Sequence, residues 1–154
     1  MWLPAEGPGA WTTRSFPRGD DVPVADTSWL VALHSARDRF HKTAVARAAG
    51  ENDLVVPDVV LGEFLNTMFW LSGGRTKPDE AAAESRQVLN GILRTPAFRL
   101  VSDSDPEQSR RLFLDHPELS YPDAVGIRVA LETSAELLTF DGPQRRRWEG
   151  LRKR

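Results

Sequence analysis

Two periods of apolar spacing share this chain, short β-type runs and longer stretches with helical recurrence. Residues 22–25, Val-Pro-Val-Ala, form a first apolar run. From Ser28 onward, Leu30, Leu33 and later apolar positions return at helical spacing, with the Ser28 hydroxyl placed to take the helix start. A short second helix is predicted over 41–49, ended by Gly50. Residues 54–56 with Pro57 read as the next strand. Asp58 is placed to cap a long helix, VVLGEFLNTMFWL, stopped by Gly73 and Gly74. Pro78 opens a strong helix through DEAAAESRQVLNGIL, with acids in its first turn. Residues 98–101 are a third strand, Asp105 and Pro106 begin a helix to about Leu114, and Pro122 begins another, DAVGIRVALET. A last strand over 136–140 closes on an Asp141-Gly142-Pro143 turn. Strands alternating with helices predict an α/β domain with a parallel sheet.

Length and composition narrow the picture only slightly. At 154 residues, 40% apolar and 27% charged, the chain suits one globular domain and excludes a mostly disordered or fibrous protein. With no cysteine there is neither disulfide nor thiolate site, which fits a cytoplasmic protein. No apolar stretch approaches the roughly 20 residues needed to cross a bilayer, so no membrane contact is expected. Residues 1–21, rich in Gly, Pro and Trp, read as an irregular N-terminal extension; the folded domain is expected over 22–144. Residues 145–154, RRRWEGLRKR, carry a local charge of +5 against −7 for the rest, and read as a basic tail.

The acids change the picture more. In open parallel sheets, sites form where strands end and loops feed into helices. Asp26 follows the first strand and Asp141 the last. Asp123 lies in the first turn of a helix, and Glu63 lies about two turns into the helix after the second strand. Singly, each has an ordinary explanation: a helix-start acid is worth about 0.3–1 kcal/mol, an Asp before Gly is a common turn residue, and Glu63 shares a polar helix face with Asn66 and Trp70. Together they are harder to dismiss. Like charges about 4 Å apart repel by on the order of 4 kcal/mol at an effective dielectric near 20, so a cluster calls for a cation. Oxygen ligands without cysteine or convergent histidine point to Mg²⁺ or Mn²⁺, whose natural chemistry is phosphodiester hydrolysis.

Four segments, VADTSWLVAL, PDVVLGEFLNTM, LSYPDAVGIRVALE and ELLTFD, in this order and spacing, resemble the PIN domain, and more narrowly the VapC-type toxins of toxin–antitoxin pairs. The resemblance implies a three-layer α/β/α domain around a mostly parallel sheet of four to five strands. It also implies a Mg²⁺- or Mn²⁺-dependent endoribonuclease that acts on RNA, pairs with an antitoxin and forms a homodimer. Position by position, Asp26, Glu63, Asp123 and Asp141 match the family acids, with Ser28 and Thr139 as supporting hydroxyls. Asp26, Asp123 and Glu63 would form the metal set, directly or through water, with Asp141 serving a second metal. After Asp141 the family continues to a further edge strand. Here the sequence offers no β run, so that strand is expected to be missing or replaced by a basic helix.

The basic tail has its own expectation, with Arg145, Arg146 and Arg147 meeting RNA phosphate and Trp148 stacking on a nucleotide; a tail docked on the acidic body is the competing reading. His34, His41 and His116 have no metal-ligand spacing and read as surface or helix-end residues, while Trp29 and Trp70 read as packing residues. The competing function is a non-catalytic PIN-fold module that binds RNA or protein, although such a module has no reason to keep four mutually repelling acids. A haloacid dehalogenase type phosphatase needs a second Asp two residues after the first, where this chain has Ser28.

Overall fold

The computed structural model describes residues 22–95 and 97–153, so the extension expected over 1–21 lies outside the described residues. In chain order the elements are β1 (Val24–Ala25), α1 (Thr27–His34), α2 (His41–Ala48), β2 (Leu54–Pro57), α3 (Asp58–Leu71), α4 (Pro78–Arg94), β3 (Phe98–Val101), α5 (Pro106–Asp115), α6 (Tyr121–Glu132), β4 (Leu137–Leu138) and α7 (Gly142–Arg152). The strands form one all-parallel sheet in the order β3-β2-β1-β4.

Alternation along the strands divides the core in two, because successive side chains point to opposite faces. Ala25, Leu54, Val56 and Leu138 face one side, against α1 to α4 through Leu30, Phe64, Met68 and Ile92. Val24, Val55 and Leu137 face the other, against α6 and α7 through Val125, Ile127, Val129 and Trp148. The result is the expected three-layer sandwich, with the sheet buried on both faces. On the second face Arg128 ties α6 to α5: Nε donates to Ser109 Oγ at 3.0 Å, while Nη1 and Nη2 lie 2.6 Å from Glu132 and Asp103.

The chain's local chemistry accounts for most boundaries. Proline sits in the first turn of α4, α5, α6 and α7, where its missing N–H costs nothing. Gly73, at φ +88°, ends α3 in a conformation other residues resist. Asp58 is the first residue of α3 rather than its cap, with Pro57 in the cap position. Two corrections follow at the C-terminal end. The expected Asp141-Gly142-Pro143 turn is the start of a helix, because Asp141 Oδ1 accepts from Gln144 N at 2.8 Å and Pro143 fits the first turn. The last strand is also shorter than expected, since the amides of Phe140 and Asp141 donate to Ser28 Oγ and Thr139 Oγ1 rather than to a ladder.

The division between a domain ending at residue 144 and a tail beginning at 145 therefore cuts through α7. That helix belongs to the core: Gln144 is fully buried and Trp148 is 7% exposed. Replacing Trp148 by Ala should lower the unfolding free energy by about 3 kcal/mol or more, as for other buried Trp-to-Ala changes. Urea denaturation measures it, and a loss below about 1 kcal/mol would mean that α7 is not docked in solution.

Candidate active site

β1 and β4 lie side by side, although β1 connects in sequence towards β2 on its other flank. This reversal opens a crevice at the carboxyl ends of the two strands, the usual place for a site in a parallel sheet. One further rung, Asp26 N donating to Leu138 O at 3.1 Å, carries Asp26 to that edge.

Asp26 itself caps α1, with Oδ1 accepting from Trp29 N at 2.8 Å. The capping role expected of Ser28 therefore belongs to Asp26, because the cap must stand one residue ahead of the helix and Ser28 is already inside the first turn. Ser28 Oγ points back instead, donating to the Asp26 carboxylate at 2.9 and 3.1 Å and accepting from Phe140 N at 2.8 Å. Thr139 Oγ1 lies 2.6 Å from Asp26 Oδ2 and accepts from Asp141 N at 2.9 Å. Both supporting hydroxyls thus touch Asp26.

Each remaining acid has one oxygen held by the protein. Asp123 forms a capping box with Ser120: Ser120 N donates to Oδ2 at 2.8 Å, and Asp123 N donates to Ser120 Oγ at 3.2 Å. Asp141 caps α7 through Oδ1. The Thr27 hydroxyl donates to Glu63 Oε2. Among the described residues, the second carboxylate oxygen of Glu63, Asp123 and Asp141 has no protein donor. All four acids line one cleft of about 520 Å³, beside Thr27, Ser28 and Ser120.

Burial and mutual repulsion mark the electrostatics. Asp26 is 2% exposed. Burial pushes its carboxyl from the ordinary 3.8 up to about 6; hydrogen bonds from Thr139, Trp29 and Ser28 pull it back, and the charge on Asp123 pushes it further up. Asp123 is also raised, first by burial and then by the charge on Asp141, against the Ser120 hydrogen bonds. Asp26, Asp123 and Asp141 are close enough for their charges to repel.

Three residues join the site that the sequence did not single out. Ser120 could have been found from the Ser-x-x-Asp spacing of a capping box. Thr27 carried no signal beyond lying next to Asp26. Gln144, hidden in the basic run, is fully buried, and its Oε1 sits 2.8 Å from Thr139 Oγ1. Thr139 has a single hydroxyl proton, so it cannot donate to both Asp26 and Gln144. Among the described residues Gln144 Nε2 is buried without an acceptor. Turning the amide over satisfies both facts when Asp26 is ionised, with Nε2 donating to Thr139 and Thr139 donating to Asp26.

The basic run does not present itself as expected. Trp148 is in the core, so its ring is not offered to a nucleotide. Arg147 forks onto Glu118 at 2.9 and 2.6 Å, and Arg145 donates to Thr139 O. Arg145 and Arg146 remain exposed. Trp29 packs as expected, whereas Trp70 is 55% exposed and does not. His34 ends α1, His41 begins α2 and His116 follows α5, the helix-end positions expected.

Among the described residues no three acidic or histidine side chains stand close enough to grip one ion by themselves. The donor set still suits Mg²⁺ or Mn²⁺. Such an ion keeps several waters and needs only one or two direct carboxylates, and Glu63, Asp123 and Asp141, each with one oxygen free of protein donors, line the same cleft as Asp26.

A parallel α/β domain whose crevice is lined by five carboxylates, Asp38 beside the four predicted acids, and among the described residues by no histidine defines a protein with a hard, oxygen-rich site. The PIN domain family model matches residues 24–147, and the chain belongs to that family. Two solved structures share the fold. VapC20 of Mycobacterium tuberculosis, a toxin that cleaves the sarcin–ricin loop, is 23% identical with a TM-score of 0.64, over 81% of this chain and 94% of that one. PAE2754 of Pyrobaculum aerophilum is 21% identical with a TM-score of 0.56, over 82% of this chain and 84% of that one. None of the curated proteins matches the chain.

The raised carboxyl has a measurable consequence. A folded-state pKa of about 6 against an unfolded 3.8 means that the folded state binds the proton more tightly. Its contribution therefore favours folding at low pH and is lost as pH rises from about 4 to 6, by on the order of 3 kcal/mol. In EDTA, the stability of wild type relative to Asp26→Asn should fall by that order across the window. A pH-independent difference in urea denaturation would contradict the shift.

Proposed function

We propose that the protein is a metal-dependent endoribonuclease, the toxin of a toxin–antitoxin pair, that hydrolyses RNA phosphodiester bonds. The observation that carries this reading is the convergence of Asp26, Glu63, Asp123 and Asp141 on one cleft at the crevice between β1 and β4. Membership of the PIN family and the shared fold of VapC20 support it. A non-catalytic binding module leaves unexplained why a carboxylate is buried at the cleft floor beside other acids, an arrangement that is unfavourable without a cation.

Asp26, Glu63 and Asp123 would hold Mg²⁺ or Mn²⁺, directly or through water, with Asp141 available to a second ion. The ion supplies Lewis acidity, activating water for attack and offsetting charge on the phosphodiester. Ser28 and Thr139 fix the Asp26 carboxylate by hydrogen bonds, and Thr27 fixes Glu63. The helix caps hold Asp123 and Asp141 in orientation, leaving one oxygen of each free of protein donors among the described residues. Arg145 and Arg146, exposed on the first turns of α7 beside Asp141, stand as RNA contacts. A cognate antitoxin would cover the cleft and place a basic side chain among the acids, and the toxin would assemble as a homodimer.

The test is cleavage of an RNA panel that includes the sarcin–ricin loop, with Mn²⁺ or Mg²⁺ and with EDTA. Chelation should abolish cleavage. Asp26→Asn and Asp123→Asn should each lower it at least about 100-fold, above the 10- to 100-fold typical of changes one shell further out. Cleavage that persists in EDTA or in both variants would refute the metal–carboxylate mechanism.

A further inference from the structure

The cleft has a second wall that the acids do not explain. Phe40, at the start of α2, and Phe140, between Thr139 and Asp141, stack face to face with ring centroids 4.3 Å apart and planes 2° from parallel. The Arg39 guanidinium lies over the other face of Phe40, 4.5 Å from its centroid. The column is fixed at both ends of its backbone: Phe140 N donates to Ser28 Oγ at 2.8 Å, and Phe40 N donates to Asp38 Oδ1 at 2.7 Å. Both rings and Arg39 line the cleft that holds the acids.

Arg39 is the cationic residue among those lining that cleft. Among the described residues it makes no ion pair, although Asp38 and the site acids lie along the same walls. An arginine drawn into an acid cluster would be expected to neutralise it. This one instead lies over an aromatic ring in an exposed position that leaves its N–H donors to solvent. Stacking limits the rotamers of a long side chain, so less freedom is lost when a ligand is bound, and a planar fork suits the paired oxygens of a phosphate. A polyanion entering this cleft meets five carboxylates, and a fixed cation on its wall offsets them locally.

We infer that Arg39, held on the Phe40–Phe140 stack, is a phosphate clamp that positions the RNA backbone across the acidic cleft. The clamp rests on the ribonuclease reading and adds to it a residue that contacts substrate. Arg39 binds a phosphate in the ground state as well as during reaction, so its loss acts on KM more than on kcat.

Steady-state cleavage of a mixed-sequence RNA pool in Mn²⁺, measured against salt for the full chain, tests the clamp. Arg39→Met keeps the stem over Phe40 and removes the charge. It should raise KM about tenfold at low salt with kcat little changed, and should flatten the slope of log(kcat/KM) against log[salt] by about 0.7, the value of one phosphate contact on a single strand. Arg39→Lys should restore the slope. Arg75→Met, an equal charge change outside the cleft, should leave both unchanged. An unaltered KM and slope in Arg39→Met, or an equal effect in Arg75→Met, overturns the clamp while the ribonuclease reading stands. Wild-type protein that cleaves no RNA removes that reading, and the clamp with it.

Discussion

The constraint on which the structure depends is the burial of one carboxylate. Asp26 is 2% exposed, and its charge is tolerated because donors from different parts of the chain converge on it. Trp29 N comes from α1, Ser28 Oγ from the same turn, and Thr139 Oγ1 from the segment after β4. A buried charge that lost these donors would be strongly destabilising. The hydrogen bonds that make Asp26 tolerable are therefore also those that lock β4 against β1 and seat the start of α7, since Thr139 is held from behind by Gln144. Fold and site share the same atoms.

That sharing extends to the other acids. A helix cap and a metal ligand are usually rival explanations of an aspartate at a strand-to-helix junction. Here a cap uses only one oxygen of the carboxylate. Asp123 spends one oxygen on its capping box and Asp141 one on the α7 cap; among the described residues the second oxygen of each has no protein donor, and both residues line the cleft. The cap orients the carboxylate, and the sheet places several such caps at one edge. The cost shows in the raised carboxyls of Asp26 and Asp123, which burial pushes up first and the neighbouring charges push further.

What was legible in the sequence was what local chemistry decides. Apolar period and proline placement predict α4 and β3 closely, and the rule that sites lie at strand ends gathers Asp26, Glu63, Asp123 and Asp141 from the sequence alone. What failed depended on distant partners. Gly142-Pro143 before an arginine run reads locally as a turn and a tail. It becomes a helix because Asp141 caps it and because Trp148 finds a hydrophobic pocket on α6, which no window of ten residues reveals. The Ser28 assignment missed for the same reason, since its partners Thr139 and Phe140 stand 111 and 112 residues away. Thr27 with Glu63, and Arg39 on the Phe40–Phe140 stack, are likewise neighbours only after folding.

The brevity of β4 reaches beyond the site. It is a border strand of the sheet, only two residues long, and the amides just after it are taken by side-chain hydroxyls. On this side the sheet has almost no free main-chain rungs to offer another strand. A second chain cannot continue the sheet there by simple addition, and self-association through this border into an extended β-structure is disfavoured. Any surface this flank offers to a partner is made of side chains, chiefly those of α7, and its selectivity is therefore set by shape and charge rather than by the backbone.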